Sequence, residues 1–86
     1  MVTLLEKKCT TVGIMIGKNM ADNLERGYNP KTMMDCYRGH MSAAYNMINT
    51  TCPNRSEVPN RFRDVKNASE FVLSARGIDP KTFTRI

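Results

Sequence analysis

Residues 37–45 of the 86-residue chain read Tyr-Arg-Gly-His-Met-Ser-Ala-Ala-Tyr, a stretch that holds two of the three tyrosines, the single histidine and an arginine. A guanidinium can neutralise a phosphate or lie flat on a base, and a phenol ring can stack and donate a hydrogen bond. Such a set suits a ligand that carries bases and phosphates. The same side chains also suit a helix edge, where amphipathic groups reach toward water. Arg38 and Tyr45 lie seven residues apart, which on a helix places them two turns apart on nearly the same side, with His40 to one flank.

Further cations that could neutralise phosphate are Lys7, Lys8 and Lys18 in the first segment and Lys31 in the second. Helix N-termini expected at Thr3 and Asn29 could add backbone donors. The net charge of +5 suits an acidic partner, whether a nucleotide, a nucleic acid or an acidic protein surface. Catalysis is poorly supplied: there is one histidine, no GxSxG and no glycine-rich phosphate loop. Cys36 and His40, four apart, would allow a nucleophile and base or two metal ligands, but a thiol on an apolar helix more commonly packs. The chain is therefore read as a non-enzyme with no cofactor and no metal. Its three cysteines are odd in number and contain no CxxC pair, which fits free thiols in a reduced compartment. Arg55, Arg61, Arg63, Lys66 and Arg76 offer a rival surface, by which a small basic inhibitor would dock on a host protein or nucleic-acid complex. No DNA-reading signature accompanies them, so polymeric nucleic acid is the weaker partner.

Three helices must position these groups. Thr3-Leu4-Leu5-Glu6 forms a capping box, and the apolar stripe Leu5, Cys9, Val12, Ile16, Met20, Leu24 follows at helical spacing until Gly27, so the first helix spans about 4–26. Asn29-Pro30 starts a second helix, about 30–50, with the seam Met34, Tyr37, Met41, Ala44, Ile48. Ser56 or Asn60 caps a third, about 57–76, ended by Gly77 with Ile78 placed for the hydrophobic contact of a C-terminal cap. The fold class is all-α, a single domain. Gly13 and Gly17 share one face of the first helix, where a missing side chain allows close approach of another helix or of a ligand. Ile14, Met15 and Ile16 beside them make this helix apolar on more than one side, which fits burial in an assembly. An internal echo pairs Arg26-Gly27-Tyr28-Asn29-Pro30-Lys31-Thr32-Met33 with Arg76-Gly77-Ile78-Asp79-Pro80-Lys81-Thr82-Phe83. It reads as one chain-reversal device used twice and predicts a short final turn over 80–85.

A chain this short has a small core, and with no disulfide framework or zinc site, oligomerisation is the expected stabiliser. No apolar window is long enough to span a membrane, and the N-terminus has its charges after a short apolar run, the reverse of a signal peptide. A cytosolic setting is expected. Asn49, Asn54 and Asn67 each open a glycosylation-like tripeptide that is read as a chance match.

From Val12 to Ile48 the chain resembles the phage anti-CBASS sponge family, small helical proteins that bind cyclic oligonucleotide signals. The resemblance rests on Gly13 and Gly17 four apart, the turn Asn29-Pro30, and Arg38, Met41 and Tyr45 on the second helix with Ala43 and Ala44 before the tyrosine. It implies a compact homohexamer of interlocked helices in the host cytoplasm. That assembly would sequester cyclic dinucleotides such as cyclic GMP–AMP, and in some members cyclic trinucleotides, without cleaving them. It also implies a trinucleotide-site role for Arg38 and a dinucleotide-site role for Lys7 or Lys8. The chain departs from the pattern in lacking an aromatic-bearing segment ahead of the first helix, leaving Tyr28, Tyr37 and Tyr45 as its tyrosines. A further departure is the added segment of roughly 53–86. The ligand-binding set expected from sequence is thus Lys7, Lys8, Gly13, Gly17, Lys18, Arg38 and Tyr45.

Overall fold

A computed structural model describes residues 3–86. Its helices are α1 (Leu4–Glu25), α2 (Pro30–Thr51) and α3 (Val58–Ala75), with a single 3-10 turn at Arg55–Glu57 ahead of α3. The all-α expectation holds, and each helix ends within a residue or so of its predicted bounds. Thr3 caps α1 by accepting from the Glu6 amide at 3.1 Å, while the Thr3 hydroxyl donates to Glu6 Oε1 at 3.3 Å. Asn29 caps α2 by accepting from the Lys31 amide at 2.8 Å, with Pro30 in the first turn. The entry to α3 differs from expectation. Asn54, rather than Ser56 or Asn60, provides the cap: its Oδ1 accepts from the Ser56 amide at 3.1 Å and holds the 3-10 turn, and the chain runs from there into α3 with no side-chain cap of its own.

The two echoed corners are the same device in detail. At the first, Tyr28 N donates to Asn23 O and Gly27 N to Leu24 O; at the second, Ile78 N donates to Leu73 O and Gly77 N to Ser74 O. Both are Schellman caps, and both need the positive φ that Gly27 (95°) and Gly77 (75°) supply. Asp79 Oδ1 then accepts from the Lys81 amide at 2.9 Å, as Asn29 does from Lys31. Here the likeness stops. Instead of a helix, residues 80–82 make a turn and Ile78 forms an antiparallel bridge with Arg85. Phe83 takes a left-handed conformation, φ 57°, and buries its ring edge-on against Tyr37 at 5.2 Å.

α1 and α3 run parallel, with α2 returning between them in sequence. Arg61 at the start of α3 reaches Glu6 at the start of α1, and Arg76 at the end of α3 reaches Asp22 and Glu25 at the end of α1. This is the broadest helix contact in the molecule. Gly13 and Gly17 make it possible. A β-carbon on Gly13 would overlap the Val65 carbonyl oxygen and stand 2.7 Å from Ala68 Cβ; one on Gly17 would stand 2.7 Å from the Ser69 carbonyl oxygen. The close approach expected of this pair is therefore to a helix of the same chain. The core between the helices holds Cys9, Ile16 and Met20 of α1, Met41, Ala44 and Ile48 of α2, and Val65 and Leu73 of α3. The α2 residues are the seam read from sequence.

Candidate functional site

The stretch Tyr37–Tyr45 divides into two faces. Tyr37 turns inward, where its hydroxyl sits 2.7 Å from the Ser69 hydroxyl, itself fully buried and donating to the Lys66 carbonyl at 2.9 Å. Burial pushes the Tyr37 phenol above its usual range, with the Ser69 bond opposing. His40 is half-buried and lines a groove between α1 and α2 with Val12, Met15, Ile16 and Asn19.

Arg38 and Tyr45 face outward. The Arg38 side chain is 74% exposed and, among the described residues, bonds only Asp35, one turn back, at 3.2 Å. The Tyr45 ring is exposed on one side and meets Phe62 of α3 edge-on at 5.4 Å on the other. Seven residues of helix separate them by about 10 Å along the axis. Gly39, Ser42 and Ala43, all exposed, lie between, and nothing stands within 4 Å of where a Gly39 β-carbon would be. The result is an open strip with a cation near one end and a ring near the other.

The remaining expected residues lie elsewhere. Lys7, Lys8 and Lys18 are exposed on α1, and none pairs with a carboxylate among the described residues. Gly13 and Gly17 are buried beneath α3, so the backbone of that face meets Val65 and Ser69 rather than a phosphate. None of the grooves described here is lined by both an α1 lysine and Arg38 or Tyr45.

The basic third helix is less available than its composition implies. Arg61, only 14% exposed, lies 2.8 Å from Glu6 and 3.2 Å from Asp64, the latter too poorly aligned for a hydrogen bond. Arg76 is clamped between Asp22 at 2.8 Å and Glu25 at 2.6 Å. The arginines hold the Glu6 and Asp22 carboxyls below the usual range, chiefly through these hydrogen bonds. Arg55, Arg63 and Lys66 alone of that group stay exposed.

Sequence reasoning missed a cleft of about 260 Å³ where the two corners meet, floored by Leu24, Pro30, Ile78 and Phe83 and edged by Tyr28 and Arg85. The echoed octapeptide was its signal: a device used twice at the same end of parallel helices brings its two copies together. Cys9 and Cys52 are buried, and burial raises the Cys9 thiol, which keeps it protonated and unreactive; Cys36 is exposed. No helix among the described residues is long and apolar enough to cross a membrane. The chain matches no protein family, curated protein or solved structure with which it was compared.

Proposed function

We propose that this protein binds and sequesters cyclic oligonucleotide signals, such as cyclic GMP–AMP or a cyclic trinucleotide, without cleaving them, as a phage-encoded immune-evasion factor in the host cytoplasm. The observation that supports this reading is the exposed pairing of Arg38 and Tyr45 on α2 across small residues. The guanidinium would take a phosphate and the phenol ring a base. Asp35 is Arg38's only bonded partner among the described residues, and at this exposure the pair is screened and weak, so a phosphate can displace it. A single convex helix face cannot enclose a ligand of this size. The reading therefore requires other copies of the chain to close over the strip, in the homohexamer that the family resemblance implies.

The test is retention and recovery. Protein is incubated with cyclic GMP–AMP or a cyclic trinucleotide, stripped of free ligand, then denatured. Intact nucleotide released only on denaturation is the expected result. Cleaved nucleotide would make the protein an enzyme, and failure to retain either ligand would remove the proposal.

A further inference from the structure

Along the outward side of α1, Leu4, Lys7, Thr11, Ile14 and Lys18 succeed one another at steps of three, four, three and four, and all are exposed. This is the spacing by which one helix presents a seam to another. The centre of the seam is apolar and open: Ile14 is 45% exposed and its neighbour Met15 65%. Phe71 of α3, 74% exposed, stands across a shallow groove from Ile14 over Ala68. An aromatic ring so exposed beside Ile14, with Met15 exposed on the other flank of the helix, is the kind of patch that marks a protein contact.

The charge on α1 is sorted by face. Its carboxylates, Glu6, Asp22 and Glu25, are all in ion pairs with Arg61 or Arg76 of α3. The outward side carries Lys7, Lys8 and Lys18, none paired with a carboxylate among the described residues; Asp22 and Glu25 continue its spacing at the C-terminal end but are held by Arg76, and Asp64 of α3, beside Arg61, lines the groove under Phe71. A second copy laid seam to seam would set lysine against lysine, with each nearby carboxylate already beside an arginine of α3. An acidic helix would meet cations at both ends and apolar surface between.

We infer that this face of α1, widened by Phe71, is a docking site for an amphipathic helix of a partner protein that carries acidic residues about three turns apart on either side of an aliphatic centre. The spacing follows from the rise between Lys7 and Lys18, about 16 Å. The site does not involve the Arg38–Tyr45 strip and stands whether or not the chain binds nucleotides.

The test uses three fluorescein-labelled synthetic helical peptides of about eighteen residues. One has glutamates about eleven residues apart flanking leucines, one has lysines in place of the glutamates, and one is the glutamate peptide with a central proline. By fluorescence anisotropy the glutamate helix binds the wild-type chain, and the other two bind at least about tenfold more weakly. Ile14→Asp abolishes binding. Lys7→Glu with Lys18→Glu reverses the preference toward the lysine peptide. All three positions are exposed, and circular dichroism verifies that the variants stay helical. Equal binding of the lysine and glutamate helices, or binding indifferent to Ile14→Asp, would overturn the inference. So would sedimentation in which the wild-type chain self-associates and Ile14→Asp disperses it, since the seam would then belong to a second copy.

Discussion

Gly13 of α1 lies against the Val65 carbonyl of α3 with no room for a β-carbon between them. Contact with backbone, rather than with the far end of a side chain, means that a helix would have to move to make space. Gly13→Ala gains about 1 kcal/mol of helix propensity but overpacks the crossing. A net loss of about 2 kcal/mol is expected. Gly39→Ala is the control: nothing stands within 4 Å of its β-carbon position, so it should stabilise by about 0.5–1 kcal/mol. Urea midpoints of the two variants should move in opposite directions, and a stable Gly13→Ala would mean that the helices are not this close.

The Tyr37 hydroxyl joins α2 to α3 through a buried serine. Tyr37→Phe removes one bond yet leaves Ser69 its bond to the Lys66 carbonyl, so the cost is about 1 kcal/mol. Ser69→Ala strands the phenol in a half-buried position and should cost more. A double-mutant cycle should give a coupling of at least about 0.5 kcal/mol; strictly additive losses would show that the two hydroxyls do not interact.

Glu6 and Asp22 have folded pKa values lowered by Arg61 and Arg76 from 4.5 and 3.8 respectively. A carboxyl depressed on folding contributes stability that is fully present above its unfolded pKa and is lost as pH falls through the folded value. Stability should be flat from neutrality to about pH 5 and then decline. Urea midpoints from pH 7 to pH 2.5 measure it. Arg76→Met, which keeps the aliphatic stem, should lower stability at pH 7 and make the acid decline shallower; an unchanged slope would remove the Arg76 clamp from the account.

Arg38→Ala should leave helicity and stability unchanged within about 0.5 kcal/mol, because the side chain is exposed and, among the described residues, bonds only Asp35. Retention of a cyclic trinucleotide should fall about tenfold or more, the scale of one charge-assisted hydrogen bond. Arg38→Lys should recover part of it. An unchanged affinity in Arg38→Ala would remove Arg38 from the proposed ligand site.

The helices were legible because their determinants are local. Thr3, Asn29, Gly27 and Gly77 act on residues within a few positions, and the stripes on α1 and α2 recur every three or four. The entry to α3 was harder. Asn54, Ser56 and Asn60 can all cap, and only the 3-10 turn selects among them. Close approach at Gly13 and Gly17 was legible but its partner was not, since nothing in a glycine says which helix will cover it. Arg61 and Arg76 read as free cations because the α1 carboxylates that hold them, Glu6 for Arg61 and Asp22 and Glu25 for Arg76, lie more than fifty residues away in sequence. Arg38, by contrast, was placed correctly outside the packing seam, and its one partner lies a single turn away.

The parallel pairing of α1 with α3 also bears on how the chain folds. The closest helix contact joins the two helices furthest apart in sequence, while α2 adds Met41, Ala44 and Ile48 to the shared core. The α1–α2 hairpin can form early from local signals, but it leaves the glycine face of α1 uncovered until α3 docks. Docking of α3 must close a loop of some fifty residues, with a cost of entropy that grows with loop length, before the crossing returns any stability. The Gly13–Val65 crossing is therefore expected to form late, and the chain to fold more slowly than one whose core comes from neighbouring helices alone.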